Sequence, residues 1–184
     1  MIFDNSFFEE LSTVYRRTSV NGLKMILGDL NARLHRSLPG EDQIIGQHVF
    51  GDSSRHLELS SNRELLIELC VRHSLSAANT FFSHDSSELV TFRRQGVLPM
   101  ESICSSKFAQ LDFLLMPYYS LNECADVRSL RSEALASQHF VIVADIKSSL
   151  ERPSQLNRAH AWNVQALRMQ LAADAFVRRV FLNL

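Results

Sequence analysis

Gln110-Leu111-Asp112-Phe113-Leu114-Leu115 sets one carboxylate among apolar residues. It reads as a strand with Asp112 in its middle. A carboxylate there is costly to bury unless it is paired or hydrogen-bonded. A partner stands downstream, where Ser137-Gln138-His139 opens residues 140–146, the most β-like run in the chain. A buried Asp that orients a His fixes its tautomer and stabilises the imidazolium. The plainer alternative has Asp112 facing solvent on an edge strand and His139 in a turn. Upstream, the apolar run 23–27 predicts a buried strand that ends in Gly28-Asp29-Leu30-Asn31. On an extended backbone Asp29 and Asn31 point the same way. A carboxylate beside an amide can hold and activate a water. Gly-Asp-x-Asn is equally an ordinary turn, since Asp and Asn favour turns for local reasons.

Outward from these stretches, Phe7, Phe8, Leu11, Val14 and Tyr15 share one face of a helix over 4–17, with Arg16 and Arg17 at its C-terminal end. Asn21-Gly22 is a turn signal. Residues 32–60 form a long polar loop, and such loops are usually functional or disordered. Ser61-Asn62-Arg63-Glu64 is a capping box that opens a helix through His73, with Leu65, Leu66, Leu69 and Cys70 inward. Short strands are expected at 75–78, 89–93, 110–115, 125–129 and 140–146. The organisation expected is a domain over 1–150, a linker over 151–160 and an amphipathic helical tail over 161–184. That tail carries Trp162, Leu167 and Leu171 on its apolar stripe.

The 184 residues are 46% hydrophobic with 19 basic against 20 acidic side chains, which excludes a disordered chain. No apolar run approaches the ~18 residues of a membrane span, and no signal peptide is visible. An intracellular protein, nuclear or cytoplasmic, is expected. Cys70, Cys104 and Cys124 match neither a disulfide framework nor a zinc site, so a reducing compartment is the default. Near-neutral charge leaves nucleic-acid binding to a local patch. Of the 19 basic residues 16 are Arg, which suits phosphate contact or reflects codon bias. Arg93-Arg94 and Arg128/Arg131 could touch phosphates or be solvated surface. His35, His48, His56, His73, His84 and His160 lack metal-ligand spacing and read as loop or surface residues.

Gly28-Asp29-Leu30-Asn31, then Gln110 through Leu115, then Ser137-Gln138-His139 before a strand, in that order, resemble the endonuclease/exonuclease/phosphatase superfamily. Apurinic endonucleases, pancreatic deoxyribonuclease and the endonucleases of non-LTR retrotransposons belong to it. The tail, Arg158 through Trp162 with Leu167 and Phe176, resembles the segment joining a retrotransposon endonuclease to its reverse transcriptase. The resemblance implies an α/β (α+β) fold, part of a four-layered sandwich of mixed sheets flanked by helices. It implies metal-assisted phosphodiester hydrolysis with Mg²⁺ or Mn²⁺ as Lewis acid and DNA as substrate. Asp29 and Asn31 would position and activate the water. Asp112 would orient His139, and His139 would contact the phosphate. Asp29 and position 138 would lie at the metal.

The family's last motif reads Ser-Asp-His, and here Gln138 replaces the Asp, supplying no negative charge. The strands that supply the family's Asn and main metal-binding Glu have no counterpart within residues 1–23. A C-terminal portion of the endonuclease domain is therefore expected, with the N-terminal half and the reverse transcriptase belonging to the parent polypeptide. Its own activity is expected to be weak or absent, so its status as an enzyme stays open. Two alternatives remain: a non-catalytic element remnant or nucleic-acid- or protein-binding module, and a small-molecule phosphodiesterase or phosphatase of the same superfamily.

Overall fold

The structure, a computed structural model, describes residues 5–20, 22–51, 61–131 and 137–147. Helix α1 spans Asn5–Arg17 and α2 spans Ser61–His73. Phe8 of α1 meets Leu66, Leu69 and Cys70 of α2 in one buried cluster, with Phe7, Leu11 and Tyr15 packed against it. Lys24 ends α1 by donating to the carbonyls of Tyr15 and Thr18, which places a cation at the negative end of the helix dipole.

Three strands make the central sheet in the order β1 (Ile26–Asp29), β5 (Asp112–Pro117), β2 (Leu75–Ala77). Both pairings are antiparallel, with Asp29 opposite Asp112 and Ala77 opposite Leu115. Period-two alternation sends Phe113 and Leu115 toward α1 and α2, and Leu114 and Met116 toward a second sheet. That sheet pairs β6 (Cys124–Leu130) with β7 (Val141–Ile146). Ala78, Cys124, Val127 and Ile142 fill the space between the sheets. A short pair, β3 (Phe92–Arg93) with β4 (Phe108–Ala109), sits over Val90 and Phe140. The result is an α+β stack of helices, sheet and sheet, and every pairing among the described residues is antiparallel.

Four local expectations need correction. The upstream strand is Ile26–Asp29, not a buried run over 23–27, and Leu27 is 59% exposed. As the sheet's edge strand among the described residues, β1 buries mainly the side of Ile26. Asp112 begins β5 rather than lying at its middle. Residues Ser86–Leu89 form one helical turn, α3, where a strand was expected from Leu89. Asp85-Ser86-Ser87-Glu88 is itself a helix-start signal, and it outweighs the β-preference of the following residues.

Fourth, the described part of the long loop, 30–51, is docked rather than loose. It buries Leu30, Ala32, Leu34, Ile44 and Ile45 in the helix-side core. Arg63 of α2 clamps it, bonding both oxygens of Glu41 and the carbonyls of Leu34 and Arg36. Gly46 lies so close to Thr80 that a Cβ there would stand 2.2 Å from its carbonyl oxygen. The capping hydrogen bonds of Ser61, His56, residues 52–60 and the linker and tail over 151–184 with His160 lie outside the described residues. No helix among the described residues is long and apolar enough to cross a membrane.

Candidate active site

Asp112 reaches the site because β5 starts there, at the end of the sheet where β1 also finishes. Its carboxylate is 13% exposed, and its two oxygens lie 2.9 and 3.1 Å from Nδ1 of His139. An ionised carboxylate only accepts, so Nδ1 carries the proton and Nε2 is left with its lone pair. Nε2 faces the other way, 3.7 Å from Oδ2 of Asp29. The imidazole therefore stands between two carboxylates, one buried and one open to solvent. Burial pushes the Asp112 carboxyl above its ordinary range, while hydrogen bonds from Thr91 and His139 oppose that shift.

His139 is delivered by backbone pairing. It bridges to Phe92 of β3, its ring stands edge-on to the Phe92 ring at 5.0 Å, and Ser137 Oγ accepts its N–H. Asp29 Oδ1 accepts the N–H of Asn31 in the same i to i+2 manner. Asn31 has φ +48°, so the chain leaves the extended conformation directly after β1. Asn31 therefore does not share one face of a strand with Asp29, and the motif leaves β1 in a turn. Asn31 is still held beside the site, its carbonyl accepting from Nδ2 of the buried Asn62. Gln138 is half-buried, and its carbonyl accepts the N–H of Arg93.

The Mg²⁺ or Mn²⁺ expectation can be tested on the donors present. Among the described residues no three His, Cys, Asp or Glu side chains gather as a metal site. Asp29 brings one carboxylate, already accepting an amide, and Asp112 is engaged by His139. Position 138 adds only a neutral amide. A hard dication takes roughly six oxygens, and proteins usually supply it with one or two carboxylates plus phosphate and water. With Asp112 taken by His139, the described residues leave only Asp29, itself bonded to an amide, and alone they do not fit such an ion.

Sequence reasoning missed Thr91 and Asn79. Thr91, 1% exposed, accepts the N–H groups of Leu111 and Asp112 on its hydroxyl. Its carbonyl accepts the N–H of Phe140, so one residue touches the backbone at both halves of the Asp112–His139 pair. Its signal was a lone hydroxyl in Val90-Thr91-Phe92, which the strand reading absorbed. Other expectations shift as well. His84 keeps its loop position but is half-buried, 2.5 Å from Asp126 and 3.4 Å from Glu88, and His73 is the last residue of α2 and bonds Ser12. Of the four arginines proposed for phosphate contact, Arg93, Arg128 and Arg131 are engaged in structure, and Arg94 is exposed. Arg93 bonds the carbonyls of Val97 and Ser137, Arg128 pairs with Asp126 and Asp145, and Arg131 bonds the carbonyls of Pro99 and Glu101 over the Phe108 ring.

No protein-family model and no curated protein matches this sequence. Among solved structures, the catalytic domain of Xenopus laevis APE2 superposes with a TM-score of 0.54 at 15% identity, over 78% of this chain. The fold is of the endonuclease/exonuclease/phosphatase type. The chain spans 42% of that domain's length. At such identity the likeness is one of fold.

Proposed function

We propose that this chain is the C-terminal portion of a retrotransposon-type endonuclease domain whose parent activity is hydrolysis of DNA phosphodiesters. The observation that carries this reading is the line Asp112, His139, Asp29 at one end of the central sheet. Asp112 holds the imidazole by Nδ1, which aims Nε2 at the place where a phosphoryl oxygen would sit. A protonated Nε2 there would donate to that oxygen as negative charge builds on it. Asp29, across the same gap, is placed to accept a proton from an attacking water. Asn31, in the turn that Asp29 closes, would help orient that water.

The donor set also supports weak intrinsic activity. The resemblance to the superfamily implies metal-assisted hydrolysis, and the described residues do not make a cation site alone. Losing a metal's contribution, several kcal/mol, would cost at least about a hundredfold in rate at 1.36 kcal/mol per tenfold. The same donor set favours a second reading, a module that binds nucleic acid without cutting it. Two experiments separate them. Titrating a short DNA duplex into ¹⁵N-labelled chain should move the ring signals of His139 and the amides of Asp29 and Asn31, and undisturbed signals there would sink both readings. Plasmid nicking with Mg²⁺ or Mn²⁺ should be barely detectable. Robust nicking abolished by Asp29→Ala would mean that the site is complete and its donors have been undercounted.

A further inference from the structure

Strand β2 stops at Ala77 opposite Leu115, three residues short of Asp112 on β5. Along β5, Asp112 and Leu114 turn their backbone groups away from β1, toward the side that β2 no longer covers. Buried backbone donors and acceptors must be paired, so something has to replace the missing strand. Two side chains do. Thr91 Oγ1 accepts the N–H of Asp112. Asn79, from the 3-10 turn Ala78–Thr80 that follows β2, donates Nδ2 to the Asp112 carbonyl at 3.0 Å. Its Oδ1 accepts the Leu114 N–H at 3.1 Å. A primary amide has the same donor and acceptor as a peptide group, and the 4%-exposed Asn79 uses both on consecutive outward-facing residues of β5.

We infer that Asn79 is a positioning residue for the site: its side-chain amide extends the β2 ladder by one rung and so sets the backbone from which Asp112 holds His139. Among the described residues no neighbouring strand constrains Asp112 from that side, and the Asp112 peptide there is held by Asn79 and Thr91. A small rotation of that peptide swings the carboxylate off Nδ1. A purely structural Asn would matter to stability alone. A positioning Asn also decides which ring nitrogen of His139 carries the proton.

The inference rests on the Asp112–His139 pairing of the proposed function but not on cleavage, so its readout is spectroscopic. Ring ¹⁵N shifts of neutral His139 report the tautomer. The wild type should be the Nδ1–H form, and Asp112→Ala should release it to the Nε2–H form that free imidazole side chains prefer. Asn79→Ala should move His139 toward the Asp112→Ala signature, and Asn79→Asp, which keeps the acceptor and loses the donor to Asp112, should do so too. Leu66→Ala, a buried deletion on α2, should lower stability with the tautomer unchanged. If Asp112→Ala leaves the ring unaltered, the pairing itself falls, and the inference with it. If Asp112→Ala moves the ring but folded Asn79 variants do not, Asn79 is structural only and the pairing stands. An equal tautomer change in Leu66→Ala would likewise overturn the inference. Should neither Asn79 variant fold, hydrogen exchange in the wild type decides: Leu114 and Asp112 amides should be protected like that of Phe113, and rapid exchange at Leu114 would overturn the rung.

Discussion

Burial holds the Asp112 carboxyl above its ordinary range, with Thr91 and His139 pulling the other way. Between the unfolded value and the raised folded one, the folded chain keeps a proton that the unfolded chain has released, and above both the carboxyl is ionised in either state. The stability this adds is full below the unfolded value, 3.8, and is lost as pH rises through the folded one. Asp112→Asn removes that titration. The stability of the wild type relative to Asp112→Asn should fall as pH rises above about 4, measured by urea melts at several pH values. A flat difference would place the carboxyl at its ordinary value. The thiols give a second residue-scale test. Burial pushes Cys70 up to about 12 and raises Cys124, whereas a hydrogen bond with Ser106 lowers the exposed Cys104. A disulfide reagent at neutral pH should label one thiol quickly and the other two only on unfolding. Labelling of Cys70 in the native chain would contradict the packing of α2.

At the scale of elements, α2 does two things. Its inner face closes the core over the sheet, and its first turn anchors the loop that leaves Asp29. Arg63 is nearly inaccessible and forks onto Glu41, which also accepts the Leu38 N–H. Removing one partner of a buried pair leaves the other charge stranded, so Arg63→Ala should cost about 3 kcal/mol, read by urea unfolding. A loss below about 1 kcal/mol, the worth of a surface pair, would show that the clamp is solvated. The start of α2 at Ser61 and its apolar spacing were legible beforehand, because helix ends and faces are local. That the loop would dock was not legible: Ile44 and Ile45 lie in a polar stretch, and the loop is tied to the β2 edge, where Ala77 donates its N–H to the Ile44 carbonyl.

For the whole molecule, layering decides which apolar residues matter. Leu115 is fully buried between β1 and β2, while Leu27 stands largely exposed on the edge strand. Leu115→Ala should cost about 2–5 kcal/mol, whereas Leu27→Lys should change stability by no more than about 0.5 kcal/mol and reduce self-association, checked by thermal melts and sedimentation. A large loss from Leu27→Lys would mean that something packs on this edge.

The chain announces α1 and α2, its strand-rich middle and the pieces Asp29, Asp112 and His139, because helical spacing, β-preference and an acid in an apolar run act over a few residues. It also carries the ambiguity of Gly28 through Asn31, which short-range chemistry alone resolves into a turn closed by the Asp29 side chain. Sequence could not tell whether Asp112 faced solvent or His139, since the two are 27 positions apart and only sheet pairing can bring them within a hydrogen bond. The roles of Thr91 and Asn79 were hidden for the same reason. Each is an unremarkable polar residue until β2 ends early, and the need to pair the buried backbone of β5 then gives both hydrogen-bond partners far along the chain.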